Sequence, residues 1–211
     1  MQVTKLDVQG YRSSVDTTFF AQETGEHLAV FLPGRGYTNL GACLNFPSEL
    51  LRARGADALH VNYDYNRAEG FSDASEEEQA AWLLADVQAA VDAALKQRDY
   101  TRITLVGKSL GTYALSLLLP QDERLRDAEV VWLTPVFKYE PFLENLKACQ
   151  QRSLFVIGTA DPHHDEAYLE GKNSYIIEGA DHSLELPGDP YASLDALRGL
   201  LERIETFIDS N

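Results

Sequence analysis

The sequence predicts an α/β fold in which a mostly parallel twisted sheet is flanked by helices on both faces, as one domain of 211 residues. Three observations predict it. Short apolar runs alternate with longer stretches of helical periodicity, which is typical of βαβ units. Residues 28–32 are continuously apolar and stop at Pro33-Gly34, as expected of a parallel strand buried on both faces. Residues 75–78 (SEEE) have the spacing of a capping box and precede a long amphipathic segment.

The predicted strands follow from apolar periodicity and from the turn residues that bound them. Residues 3–8 and 15–20 alternate between apolar and polar side chains, as in a solvent-faced hairpin or two edge strands. The run at residues 28–32 forms the first buried strand. Later strands are predicted at residues 57–63, 103–106, 129–133, 154–157 and 174–177.

The predicted helices lie between these strands. They cover residues 40–54 (with Pro47 limiting the start), 110–119 (ended by Pro120), 141–150, 164–169 and 193–208. The capped helix buries one face through Ala80, Leu83, Leu84, Val87, Val91, Ala94 and Leu95. The last helix is predicted to face inward with Leu194, Leu197, Leu200, Leu201, Ile204 and Phe207.

Composition excludes several classes of function. The net charge of −15 repels phosphates, so we expect no nucleic acid partner; a solvated acidic surface accounts for the charge. No apolar run is long enough to cross a membrane, and residues 1–10 lack the apolar core of a signal peptide, so we expect no membrane partner and a cytoplasmic location. Cys43 and Cys149 stand in no motif and are expected to be buried free thiols, with no metal site and no cofactor.

The segment at residues 106–111, VGKSLG, has two interpretations. Gly107-Lys108-Ser109 is the end of a phosphate-binding loop, but that pattern needs a glycine where Arg102 stands, and a predicted strand fills the loop. Gly107-x-Ser109-x-Gly111 is instead the pattern of a nucleophile elbow, a sharp strand-to-helix turn with small flanking residues. A strand precedes the segment and a helix follows it, so the sequence favours the elbow.

A serine hydroxyl needs a base within hydrogen-bond reach, and the base needs a carboxylate that orients it. Ligands of parallel sheets bind where the strands end, so partners of Ser109 are expected just after later strands. Asp161 follows the strand at residues 154–157, and His182 follows the strand at residues 174–177. The sequence therefore predicts Ser109 as nucleophile, His182 as base and Asp161 as acid.

Other interpretations of these residues stay open. Asp161 precedes Pro162, so it could instead shape a turn or cap a helix, and His182 could simply bond nearby backbone. The competing groups are His163 and His164 for the base, and Asp165 and Asp181 for the acid. His163 and His164 follow Asp161 closely on the same loop and are poorly placed to bridge it to Ser109. Asp181 adjoins His182 and more naturally shapes the turn.

An acyl-transfer site also needs donors for the oxyanion, normally the amide after the nucleophile and one from the loop after an earlier strand. The first is the amide of Leu110. The second lies in residues 33–37, PGRGY, where glycines let backbone approach a ligand closely. We expect the Arg35 amide, with Gly36 as the alternative, or else a plain glycine-rich turn.

The chain resembles the α/β-hydrolase superfamily over essentially its whole length. The matching segments are LPGRGY, VGKSLG, GTADP and GADHS, in the order and spacing of that superfamily. The resemblance implies the α/β-hydrolase fold, Ser109, Asp161 and His182 as catalytic triad, and the amides of Arg35 and Leu110 as oxyanion hole.

Within the superfamily the chain is similar to small carboxylesterases and dienelactone hydrolases. It departs from dienelactone hydrolases at the nucleophile, where they use cysteine and this chain has Ser109, and LPGRGY lacks the HGGG form of many lipases. Residues 133–154 are too short to hold a cap domain, so an open site is expected.

The expected activity is cleavage of a small carboxylic ester or thioester through an acyl-enzyme on Ser109. An acyltransferase or peptidase with the same triad, or a non-catalytic binding protein that retains the fold, remains the alternative. Aromatic residues near the strand ends suit a modest acyl or aryl group, or else fill the core. The candidate substrate-binding residues are Gly34, Tyr37, Lys108 and Phe137, with Arg35 and Lys108 as possible attractors of an anionic substrate.

Overall fold

Eight strands form one sheet in the computed structural model, which describes residues 1–210. They are β1 (Gln2–Thr4), β2 (Thr17–Ala21), β3 (His27–Leu32), β4 (Asp57–Val61), β5 (Arg102–Lys108), β6 (Glu129–Leu133), β7 (Arg152–Gly158) and β8 (Ser174–Ile177). The sheet order is β1-β2-β4-β3-β5-β6-β7-β8. β1 pairs with β2 and β2 with β4 in antiparallel fashion, and the other pairs are parallel. The predicted fold class is confirmed.

Helices cover both faces of this sheet. They are α1 (Ala42–Ala53), α2 (Glu76–Leu95), α3 (Leu110–Leu118), α4 (Glu140–Leu146), α5 (Glu166–Leu169) and α6 (Pro190–Asp209). One core cluster joins the sheet to α2, α3 and α4, and a second joins the opposite face to α1 and α6. Within residues 1–210, none of the helices has the length and apolar character needed to cross a bilayer.

Helix α2 begins where the sequence predicts, but its cap is half of the predicted box. Ser75 Oγ accepts a hydrogen bond from the Glu78 amide at 3.2 Å. The Glu78 carboxylate does not return this bond; it pairs with the guanidinium of Arg12. Glu78 therefore forms a long-range ion pair with Arg12 instead of the predicted local hydrogen bond to the Ser75 amide.

Several predicted boundaries and burials are wrong. β1 is shorter than predicted, and α4 ends at Leu146 rather than at residue 150. α6 begins three residues early, because Asp189 caps the Ala192 amide and Pro190 is favourable in the first turn. Leu194, which was predicted to face inward, is 62% exposed. Cys43 is buried as expected, but Cys149 is partly exposed; both thiols are free.

Helix α1 also departs from the prediction, because Pro47 lies inside it instead of limiting its start. The helix begins at Ala42, with Gly41 as its first flanking residue. The Tyr37 hydroxyl accepts from the Cys43 amide at 3.2 Å, so one of the unpaired amides of the first turn is satisfied.

Gly158 ends β7 and lies against the loop that follows β8. A Cβ added there would lie 1.9 Å from the Ala180 carbonyl oxygen, which is backbone and cannot give way cheaply. We expect Gly158→Ala to lower the free energy of unfolding by about 3 kcal/mol, or roughly 6–12 °C in Tm. Thermal unfolding followed by circular dichroism measures this.

Gly171→Ala is the matched control for that change. Gly171 has a φ of +73° and nothing within 4 Å of the added Cβ, so only backbone strain of about 1–2 kcal/mol is expected. Equal losses in the two variants would show that the contact between Gly158 and Ala180 is unimportant.

Candidate active site

Ser109 stands at a sharp turn between β5 and α3. Its backbone has φ 50° and ψ −110°, a region that non-glycine residues rarely occupy, and its amide donates to the Leu133 carbonyl at 2.9 Å. A Cβ at Gly111 would lie 2.1 Å from the Leu32 carbonyl oxygen, and one at Gly107 would lie 2.7 Å from the Gly111 oxygen. The two flanking glycines are therefore needed for the turn to pack against β3.

The loops after β7 and β8 bring an acid and an imidazole to this serine. His182 Nε2 lies 2.9 Å from Ser109 Oγ, and His182 Nδ1 lies 2.8 Å from Asp161 Oδ2. An ionised carboxylate only accepts hydrogen bonds, so the arrangement places the imidazole proton on Nδ1. Nε2 is then free to accept the proton of the serine hydroxyl. The three residues that the sequence singles out thus form one hydrogen-bonded chain.

Asp161 is held as a carboxylate in a nearly closed environment, with 3% of its surface exposed. Its second oxygen, Oδ1, accepts from the His163 amide at 2.8 Å. Burial raises the pKa of this carboxyl, but the hydrogen bonds from His182 and the His163 amide outweigh burial and lower the pKa below its ordinary value. The charged form, which orients His182, is therefore favoured.

Backbone hydrogen bonds fasten the acid loop to the histidine loop. The Thr159 amide donates to the Ile177 carbonyl and the Ala160 amide to the Ala180 carbonyl, each at 3.0 Å. The Gly179 amide in turn donates to Thr159 Oγ1 at 2.8 Å. Asp161 and His182 are thus anchored to each other through the main chain as well as through their side chains.

The competing acids have other partners. Asp165 Oδ1 accepts from the Tyr168 amide and caps α5, and Asp181 Oδ1 accepts from the Ser183 amide within the turn, at 3.0 and 2.8 Å. His163 lines the cleft with its ring centroid 5.6 Å from that of His182. Burial lowers the pKa of His163, so the neutral imidazole is favoured there.

The candidate oxyanion donors flank Ser109. Residues 34–37 form a β-turn closed by the Tyr37 amide on the Gly34 carbonyl at 3.1 Å, with Gly36 at φ +74°. A positive φ at the third position alone is typical of a type II turn. A Cβ on Gly34 would lie 3.1 Å from Ser109 Cβ, so the turn packs directly on the nucleophile. Within residues 1–210, the amides of Arg35 and Leu110 have no hydrogen-bond acceptor.

A cleft of about 380 Å³ opens beside Ser109. Its lining is mostly apolar and aromatic, with a few polar groups: Arg35, Phe71, Glu76, Gln79, Leu83, Leu110, Tyr113, Val136, Tyr139 and His163. The Tyr139 hydroxyl donates to Glu76 at 3.3 Å across one end. Sequence reasoning missed Glu76, Gln79 and Val136, because neither helix periodicity nor loop composition shows which side chains turn toward a cleft.

Three of the four candidate substrate-binding residues lie elsewhere. Lys108 is 2% exposed, and its amine forms hydrogen bonds within the protein. It therefore faces neither the cleft nor the solvent. Phe137 is 1% exposed and packs against Phe142 and Phe155 in the core. Tyr37 faces a different groove, and only Gly34 adjoins the nucleophile. Strand-end side chains alternate in direction, and the sequence does not say which face holds the site.

That second groove, of about 560 Å³, lies beyond the turn at residues 34–37 and is larger than the cleft. It is lined by Tyr37, His60 and Tyr63 among others and contains none of Ser109, Asp161 and His182. Size alone does not identify a candidate site; the hydrogen-bonded chain begins at Ser109, which lines the smaller cleft. Among residues 1–210, no group of three or more His, Cys, Asp or Glu side chains is placed to hold a metal ion.

Comparison with known proteins identifies the architecture. No protein-family model matches the sequence, and no curated protein matches it significantly. Solved structures do match. The lidless α/β serine hydrolase of Xanthomonas campestris superposes with a TM-score of 0.73 at 17% identity, covering 100% of this chain and 97% of that chain.

Two further neighbours agree in shape. A dienelactone hydrolase from Anabaena variabilis gives a TM-score of 0.72 at 18% identity, covering 97% of each chain. A cold-adapted esterase from an Arctic intertidal metagenomic library gives 0.68 at 16%, covering 97% of this chain and 92% of that chain. The chain therefore has the α/β-hydrolase fold, and within residues 1–210 the connection from β6 to β7 holds α4 and no cap.

Proposed function

We propose that the protein is a serine hydrolase that cleaves a carboxylic ester or thioester of a small substrate. The observation that carries the proposal is the continuous hydrogen-bonded chain from Ser109 Oγ through His182 to Asp161, at 2.9 and 2.8 Å. Structural and non-catalytic roles need no such alignment, since a loop histidine is satisfied by any nearby backbone. The fold shared with hydrolases and esterases supports the same activity.

The reaction follows from which atoms can give and accept protons. His182 Nε2 takes the Ser109 hydroxyl proton as Oγ attacks the acyl carbon, and Asp161 stabilises the imidazolium. The amides of Arg35 and Leu110 receive the oxyanion. The tetrahedral intermediate then breaks its C–O or C–S bond, and the imidazolium protonates the departing alcohol or thiol. Water, deprotonated by His182, then attacks the acyl carbon; the acyl–Oγ bond breaks, the imidazolium returns its proton to Oγ, and the acid leaves as a carboxylate.

The substrate class follows from the walls of the cleft. Phe71, Leu83, Tyr113 and Val136 supply apolar surface beside the nucleophile, which suits an acyl or aryl group of modest size.

No metal or cofactor takes part in these steps. The free thiols of Cys43 and Cys149 fit a reducing compartment such as the cytoplasm.

Fluorophosphonate labelling of the folded protein tests the proposal. An activated serine adds one phosphonyl group, and we expect tandem mass spectrometry to place it on Ser109. Heat-denatured protein, in which the triad is lost, is the control and should not react. Absence of labelling together with absence of turnover across a panel of acyl esters and matched thioesters would rule the activity out, and the same panel defines acyl length and leaving group.

The oxyanion hole can be tested at Arg35, because one substitution removes both the amide N–H and the side chain and another removes the side chain alone. Proline is favoured at the second position of a type II turn, so Arg35→Pro keeps the turn and removes the N–H. We expect kcat to fall by about 10²–10³, the usual effect of losing one oxyanion donor. Arg35→Ala, which retains the N–H, is the matched control and should lose less than about tenfold. Steady-state kinetics on one p-nitrophenyl ester compares them; equal losses would remove the Arg35 amide from the site.

A further inference from the structure

Lys108 is a buried amine that the mechanism above does not use. It is the last residue of β5, directly before Ser109, and only 2% of its surface is exposed. Nζ donates to Thr134 Oγ1 at 3.1 Å and to the His182 carbonyl oxygen at 2.7 Å, and it lies 4.9 Å from the centroid of the Tyr37 ring. Both acceptors are neutral oxygens.

Such a site is unfavourable for an ammonium group. Withdrawal of a charge from water is unfavourable even after relaxation, and two neutral acceptors offset this only in part. Burial lowers the pKa of the Lys108 ammonium below its ordinary value, although the carboxylates of Asp161 and Asp181 act in the opposite direction. A methionine would fill nearly the same space without this penalty. Unlike methionine, the amine supplies a charge and hydrogen bonds, and its hydrogen bonds reach two defined acceptors.

The hydrogen bond to the His182 carbonyl joins parts of the sheet that are not neighbours. Lys108 ends β5, whereas His182 follows β8, and β6 and β7 lie between these two strands. Thr134, the other acceptor, follows β6 directly, so the amine meets the ends of three elements. One bond thus ties the residue before the nucleophile to the backbone of the base.

We propose that Lys108 is a positioning residue that holds the main chain of His182 in register with Ser109. This inference rests on the proposed function, because the position of His182 relative to Ser109 matters only if the two residues exchange a proton. The imidazole must stay within hydrogen-bond reach of Oγ through two proton transfers, and a misplacement of about 1 Å can reduce the rate about 10²-fold. Asp161 fixes the ring from its far side; Lys108 fixes the backbone from which the ring extends.

Lys108→Met is the test, measured as steady-state kinetics on an ester and as hydrogen exchange of residues 178–186. We expect kcat to fall about 10- to 100-fold with KM and Tm nearly unchanged, and those amides to exchange faster. A role in packing alone would leave kcat intact, since methionine keeps the volume. Thr134→Val removes the other acceptor and keeps the His182 bond, so it should lower kcat less than threefold.

Lys108→Gln covers the case in which the methionine variant does not fold. Glutamine retains a neutral donor but reaches one bond less far, so kcat should fall by an intermediate factor while KM holds. Wild-type kcat and unchanged exchange in either folded variant would overturn the proposal. If the wild-type protein itself shows no Ser109-dependent turnover, the proposed function fails; the exchange measurement still decides whether Lys108 holds the loop.

Discussion

Ser109→Ala is expected to lower kcat by about 10³ or more on any ester that the protein turns over, and to abolish fluorophosphonate labelling. The variant keeps the oxyanion amides and the cleft, so KM should change little. The removed hydroxyl makes one side-chain contact, to His182 at 2.9 Å, so Tm should stay within a few degrees. Steady-state kinetics, intact-mass analysis after labelling and thermal unfolding measure the three effects.

Ser116→Ala, in the helix that follows Ser109, is the matched control. Ser116 is fully buried in α3 and its hydroxyl donates to the Tyr113 carbonyl at 2.8 Å, away from the triad. Its loss should leave kcat within about threefold. Unchanged turnover in Ser109→Ala would place the nucleophile elsewhere and would end the case for a Ser109 acyl-enzyme.

Asp161→Asn is expected to lower kcat by about 10⁴, because it changes the imidazole tautomer while keeping the shape. Both oxygens of Asp161 accept N–H groups, from His182 Nδ1 and from the His163 amide. An asparagine offers one acceptor and one donor. With the backbone amide taking the oxygen, the NH₂ group faces Nδ1, which drives the imidazole proton to Nε2 and blocks proton transfer from Ser109.

Asp165→Asn is the control for this change, because asparagine also caps helices and α5 should persist. Its kcat should stay within about threefold of wild type. The pH profile of kcat gives a second readout. Because the pKa of Asp161 lies below its ordinary value, the Asp161 carboxylate stays ionised at pH values where a free carboxyl is already protonated. Protonation of Asp161 should therefore not lower the kcat of the wild-type protein in that range. A kcat in Asp161→Asn close to wild type at neutral pH would exclude Asp161 as the orienting acid.

Much of the architecture could be predicted because local signals and burial agree. The continuous apolar run of β3, the cap at Ser75 and the glycines around Ser109 each dictate structure within a few residues. The positions of Asp161 and His182 could be predicted because parallel strands end at one edge. Sequence order then specified which loop supplies each group.

The remaining features depend on contacts between distant parts of the chain, which periodicity does not report. Lys108 and Phe137 were expected near the substrate, yet both are enclosed by elements far away in sequence. Leu194 was predicted to face inward, yet it is 62% exposed, because Ala196, Leu200 and Ile204 supply the buried face of α6. The cleft wall at Glu76 and Gln79 likewise depends on the packing of α2 against α3, which are apart in sequence.

The backbone of Ser109, with its φ of 50°, has a consequence for engineering this protein. A conformation that non-glycine residues avoid costs about 1–3 kcal/mol and persists only because the packing around it enforces it. Glycine at this position would relax the strain, so selection for heat resistance alone would favour sequences that lack the Ser109 hydroxyl. Stabilised variants of this chain should therefore be screened for turnover at every round.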